Sequence, residues 1–321
     1  MSVSRVQAAT IVIVAALFCG RLMAEPYAFI SNQLDNNVSV VDTATNTVVK
    51  TVAVNGKPVG VAVNEQNQQV YISTPEGHGF AVLDMAKLEV ARWVAASNGA
   101  LGIASDRLGQ RVFVADWYEN TVAVFNTRNF KLIATIAVGK SPSGMVVSPD
   151  NRWLYVANRM DDTVSQIDLR QLTIRNTTKV GAHPFGLVLD AKGEKLYTAN
   201  VESDDVTVLS LTNNRLKRLA TVKVQSRPYA GALALNDTRL FITNQDESTV
   251  SVIDTDTLQE IAVIEVGEKP EGISTHPDDR HVYVANWMDN NVSVIDAKTL
   301  QVVATIATGE GSRAFGQFIA K

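Results

Sequence analysis

One short strand recurs seven times along this 321-residue chain, and that recurrence restricts the fold more than any other feature. The strand ends at Asn32 (FISN), Thr74 (YIST), Asp116 (FVAD), Asn158 (YVAN), Asn200 (YTAN), Asn244 (FITN) and Asn286 (YVAN), at spacings of 42, 42, 42, 42, 44 and 42 residues. A second run follows each one, beginning at Val38, Phe80, Val122, Val164, Val206, Val250 and Val292. A single period, such as Val282–Gly309, holds several β-branched runs separated by turns rich in Asn and Asp, which hydrogen-bond their own backbone. Each run is apolar on both faces, so one period cannot bury itself and must be stacked between copies. A period of about 40 residues with several short strands is the mark of a β-propeller. The expected fold is all-β: a seven-bladed β-propeller of four-stranded antiparallel blades, forming a single domain over residues 25–321.

The ends of the chain predict how the ring closes. Tyr27–Asn32 corresponds to a second strand, so the first blade lacks its innermost one. The segment Ala314–Ile319 matches the inner-strand pattern of Pro58–Val63 and is left over after the seventh period. Pairing the two completes the blade and removes an exposed edge. The glycines two places after a proline (Gly60, Gly144, Gly186 and Gly272) are expected where inner strands crowd the axis.

The YVAN, VSVID and VGEKPEG segments resemble the YVTN family of β-propeller repeats, which includes YncE-like periplasmic proteins. The resemblance covers about residues 26–321 and implies a fold and an exported location, while the repeated residues are those that build a blade. The repeats are also similar to the propeller subunits of amine dehydrogenases and to haem d1 domains, without residues that carry those cofactors.

Residues 1–24 hold one basic residue near the start, Arg5, and an apolar run from Ala8 to Cys19, short for a bilayer span. They read as a secretory signal cleaved before Glu25. Lipidation at Cys19 is disfavoured by the bulky Phe18, and no other stretch of the sequence is apolar enough to span a membrane. Cys19 is the only cysteine, so the mature chain would form no disulfide. Loss of Arg5 and Arg21 makes the formal net charge more negative than the −4 of the full chain, which disfavours general attraction to polyanions. The expected product is a soluble periplasmic monomer.

Catalytic chemistry is not legible. Serine-hydrolase, P-loop and dinucleotide motifs are missing. Asp42, Asp84, Asp168, Asp254 and Asp296 recur at one position, which suits turn hydrogen bonding better than acid–base work. His276 and His281 flank one turn, but with no further converging ligand apparent the expectation is no metal, and no cofactor is implied.

The loops between blades and those between second and third strands should emerge on one face. There Lys57, Lys140, His183, Arg227, Lys269 and Arg313 place a basic residue near the axis in six blades, joined by Phe185, Tyr229 and Phe315 before the inner-strand glycines. Trp117, Tyr118, Arg159 and Trp287 occupy the loops between second and third strands. Cations and aromatic faces suit a protein, peptide or small anionic ligand; the alternative is solvated lysines and aromatics packed between blades. A binding or scaffold propeller is the first reading. An accessory subunit of a periplasmic redox enzyme and a single-stranded nucleic-acid binder are the alternatives. The intact mass of the periplasmic chain should correspond to cleavage before Glu25; a lipid-modified Cys19, or a chain retaining residues 1–24, would contradict the reading of the N-terminus.

Overall fold

The computed structural model describes residues 27–212 and 215–320, so the expected signal segment, residues 1–24, lies outside the described residues. Seven antiparallel sheets are arranged as blades, each running from an inner to an outer strand. The fourth blade is typical, with strands Pro142–Val147, Trp153–Asn158, Thr163–Asp168 and Thr173–Lys179 in that order. Its second strand is buried at every residue, whereas the outermost is largely exposed. Burial follows position: middle strands have a neighbouring blade on both faces, and the rim strand meets water. No helix among the described residues is long and apolar enough to cross a membrane.

The recurring asparagine does a second job that the sequence pattern left unexplained. Asn158 is fully buried, and its Nδ2 donates across the turn to Thr163 Oγ1 (3.0 Å) and Ser165 Oγ (2.9 Å). The same two bonds join Asn32 to Asn37 and Ser39, Asn200 to Asp205 and Thr207, Asn244 to Thr249 and Ser251, and Asn286 to Asn291 and Ser293. A buried amide is tolerated because its donors are satisfied, and the pairing fixes register between second and third strands. This is the physical content of YVAN followed by VSVID. The recurrent aspartates do cap turns: Asp42 Oδ1 accepts from the amides of Ala44 and Thr45, and Asp84, Asp168, Asp254 and Asp296 repeat the arrangement.

At the axis the inner strands approach so closely that a side chain has no room. A Cβ on Gly102 would lie 1.9 Å from the Ser143 carbonyl oxygen, and one on Gly272 would lie 2.1 Å from that of Arg313. Both clashes are with the next blade's backbone, which cannot swing away.

The C-terminal segment closes the ring as expected. It runs antiparallel beside Tyr27–Asn32, with bridges Asn32↔Ser312 and Ala28↔Ile319. Its backbone bonds include Phe29 N–H to Phe318 O, Arg313 N–H to Ser31 O and Ala320 N–H to Tyr27 O, each 2.9 Å. At its middle, Phe315–Gln317 also pairs in parallel with Gly60–Asn64 of the second blade, so the segment seals two blades at once. Phe318 and Ile319 are buried in the core this creates. Phe318→Ala should cost about 3–5 kcal/mol by cavity formation, and deletion of residues 312–321 should cost more. Urea unfolding checks both, and an unchanged midpoint in the truncation would refute closure.

Candidate functional site

The two loop sets expected on one face are bound to each other there. In five blades the last residue of the second-to-third-strand loop accepts a backbone N–H from the loop leading to the next blade. Asn36 bonds Lys57 (3.0 Å), Asn120 bonds Ser141 (2.9 Å), Asp162 bonds His183 (2.8 Å), Asp204 bonds Arg227 (2.9 Å) and Asn290 bonds Gly311 (2.8 Å). Lys57, Ser141, His183 and Arg227 adopt φ of 51–57°, a left-handed conformation that this network maintains, and Lys269 at the equivalent position has a φ of 54°. Side chains on this face therefore project from a fixed frame. Lys57, His183, Arg227 and Lys269 share one structural position; Lys140 precedes it by one residue and Arg313 follows it by two.

The basic ring is largely balanced by its neighbours. Arg227 pairs with Glu202 (3.1 Å) and Asp246 (3.7 Å), Lys269 with Asp246 (2.6 Å), and His183 Nδ1 lies 3.8 Å from Glu202. Lys57 Nζ donates to the Leu34 carbonyl (3.3 Å), and Lys140 is exposed. Arg313 turns inward to ion-pair with the buried Glu271, and also donates to the Tyr229 hydroxyl (3.0 Å) and Gln33 (3.1 Å). Gln245 completes the Glu271 shell at 2.9 Å. Burial pushes the Glu271 carboxyl up against the pull of Arg313. Desolvation opposes the charge on Arg313, but Glu271 and Tyr229 outweigh it and hold the guanidinium above its ordinary value.

Arg159 differs from these. Its guanidinium stands 5.9 Å from the Trp117 ring and 5.7 Å from the Phe185 ring, and among the described residues it meets no carboxylate. Burial lowers its pKa and the nearby Arg227 adds to this, while Tyr229 and Glu202 pull the other way without restoring the ordinary value.

Phe185, Tyr229 and Phe315 are brought together, but inside the protein. Phe185 stacks on Tyr229 at 3.9 Å and meets Phe315 edge-on at 5.3 Å, and all three are buried. They pack in one cluster with Val59 and Leu101, which stand at the position of Phe185 and Tyr229 in the second and third blades. Below them lies a cavity of about 430 Å³ lined by Met145, Leu187, Val188, Leu233 and Ile273, reaching Arg107, His276 and Asp279 towards the opposite face.

What the loop face offers to a partner is carried by a position the sequence reading had only partly picked out. The second residue of the seven second-to-third-strand loops is Leu34, Glu76, Tyr118, Met160, Glu202, Asp246 and Met288. Tyr118 is 70% exposed, and Leu34, Met160 and Met288 are 48–51% exposed. Beside them Trp117 and Trp287 are half-buried, and Leu34 and Trp287 flank Gly311. Aligning the loops by register would have found Leu34 and Met288; looking only for charge and aromatic rings did not.

On the other face the turn expected to hold two unassisted histidines contains a third donor. Asp278 lies between His276 (Nδ1 to Oδ1, 3.1 Å) and His281 (Nδ1 to Oδ2, 2.6 Å). His276 Nε2 is held by Thr43 and its Nδ1 faces Asp278 within the turn, and among the described residues the lining of the cavity includes no other imidazole.

Comparison with known proteins places the fold. Residues 106–227 match the family described as lactonase, 7-bladed beta-propeller, and residues 191–314 match the cytochrome D1 heme domain, each less than half of the chain. No curated protein matches at a significant level. The structure is similar to that of Kuenenia stuttgartiensis hydrazine synthase, at 21% identity and TM-score 0.75, covering 84% of this chain and 91% of that one. It is also similar to a functionally unknown protein from Desulfotomaculum acetoxidans DSM 771, at 14% identity and TM-score 0.81, over 92% and 98% of the chains. Dihydro-heme d1 dehydrogenase NirN in complex with DHE is a third, at 14% identity and TM-score 0.68, over 90% and 74%. At these identities the likeness establishes the β-propeller and leaves chemistry to the residues.

The inward Arg313–Glu271 pair and the exposed Arg227–Glu202 pair should separate in stability. Glu271→Ala strands a buried guanidinium and should cost about 3–5 kcal/mol, whereas Glu202→Ala should cost about 0–1 kcal/mol. Thermal and urea melts of the two variants check this.

Proposed function

We propose that this chain is an exported, non-catalytic propeller of the YVTN type that recognises a protein or peptide through its loop face. One observation carries the reading: large apolar side chains, Leu34, Tyr118, Met160 and Met288, are held in water at one loop position by backbone locked from below. Exposed apolar side chains are ordinary one by one, and what supports the reading is their recurrence at one loop position of one face, with the aromatic and methionine side chains that interfaces enrich. Arg159 adds a cation against Trp117 and Phe185 that feels Glu202 only at longer range and makes no salt bridge among the described residues, a place for an acidic side chain or terminal carboxylate of the partner. The expected ring of free cations is weakened as an anion site because Glu202, Asp246 and Glu271 already pair with three of its members. Nucleic-acid binding is disfavoured for the same reason, since it needs many unpaired cations.

A second reading, an accessory or substrate-binding subunit of a periplasmic redox enzyme, is favoured by the match of residues 191–314 and by the likeness to hydrazine synthase and NirN. Both readings use the same face and differ in what binds.

The test is capture of partners from periplasmic extract by the wild-type chain, by Tyr118→Ser/Met160→Ser and by Arg159→Ala. The double variant should lose its specific partner, and Arg159→Ala should weaken capture by about 10- to 100-fold, in keeping with about 1.5–3 kcal/mol for a hydrogen bond to a charged group. Melting temperatures should stay near wild type. Undiminished capture by both variants would move the site elsewhere, and co-purification of an oxidoreductase would select the second reading.

A further inference from the structure

His276, Asp278 and His281 offer three ligand atoms that all lie within 4.8 Å of one another, on the face opposite the proposed recognition loops. We propose that they form a binding site for a borderline transition-metal dication, Zn²⁺ in the first instance.

The donor set is two imidazoles and a carboxylate, which suits Zn²⁺, Ni²⁺ or Cu²⁺ and not the all-oxygen shells of Ca²⁺ or Mg²⁺. The ligands are also held in place before any ion arrives. The His276 side chain is only 16% exposed, and its ring lies over that of Tyr283 at 6.1 Å and 30°. Its Nε2 stands 3.1 Å from Thr43 Oγ1 in the first blade. A metal-bound imidazole ordinarily gives its second nitrogen to such an oxygen, which fixes the tautomer and the ring plane. With Nε2 committed there, Nδ1 is the acceptor nitrogen on the side where Asp278 and His281 converge; without an ion it takes the Asp278 amide at 3.2 Å, a long hydrogen bond that a bound dication would displace.

Asp278 is anchored by its own turn. Its Oδ1 accepts the amides of Arg280 (2.9 Å) and His281 (3.0 Å), so the carboxylate stays between the two rings. Zinc takes four ligands in tetrahedral geometry, so three from the protein leave one position for water or another donor. His276, Pro277 and Asp279 also line the axial cavity, which puts the dication at the rim of that cavity. Nothing in this placement depends on what the loop face binds.

The experiment is isothermal titration of the full mature chain with ZnCl₂, alongside Asp278→Asn and His281→Ala. Asparagine retains the oxygen that accepts the two amides, and His281 is the more exposed of the two imidazoles, so both variants should fold; their melts without metal check it. Wild type should take up one Zn²⁺ per chain with a rise in melting temperature, and each variant should bind at least about tenfold more weakly. Co²⁺ in place of Zn²⁺ should give the intense visible bands of a four-coordinate site in wild type only. A wild-type chain that takes up no Zn²⁺, folded variants that bind as tightly as wild type, or a preference for Ca²⁺ would each overturn the proposal.

Discussion

A blade that is apolar on both faces has to be covered on both faces, and every other feature of this protein follows from that requirement. In a row of blades the two end members would leave a face in water; in a ring none does. The ring closes only because Ser312–Ala320 reaches back to Tyr27–Asn32 and, at Phe315–Gln317, leans onto the second blade as well. Phe318 and Ile319 are the apolar contribution of that last strand to the core shared by the first blade and its neighbours.

Closure sets the conditions at the axis and on the two faces. Seven inner strands converging on one line leave no room for a Cβ at Gly102 or Gly272, and the residues one step before the glycines fill the space above. Most of that plug is apolar, so its one carboxylate, Glu271, needs Arg313, Gln245 and the Tyr229 hydroxyl network around it. Below these residues lies the cavity that reaches His276 and Asp279 on the other side. Function is therefore open to two separate surfaces, one bearing apolar loop tips, the other a cavity with His276 in its lining.

Much of this was legible from the repeat. Seven registers agreeing at 42 or 44 residues left no competing fold, and the unpaired half-blade at the N-terminus required a strand from the C-terminus. The turn aspartates and axial glycines were legible too, since repetition in most blades points to geometry and not to catalysis. The site was less legible, and for a definite reason. Lys57, Arg227, Lys269 and Arg313 look alike in a sequence, but Arg313 faces a buried glutamate, Arg227 and Lys269 share the acidic rim, and Lys57 rests on a backbone carbonyl. Charge in a sequence does not say which carboxylate will stand opposite.

The sequence by itself determined the strand period, the number of blades, the closing segment and the face from which each loop emerges, because all of these follow from alternation and repeat length. Only the tertiary structure decided which side chains meet across blades: Arg159 between Trp117 and Phe185, Phe185 against Tyr229, and Thr43 beside His276 across 233 positions of chain. Those contacts depend on the angle and height at which one blade packs on the next, and on the side-chain rotamers that packing permits, and no periodicity along a single strand records either.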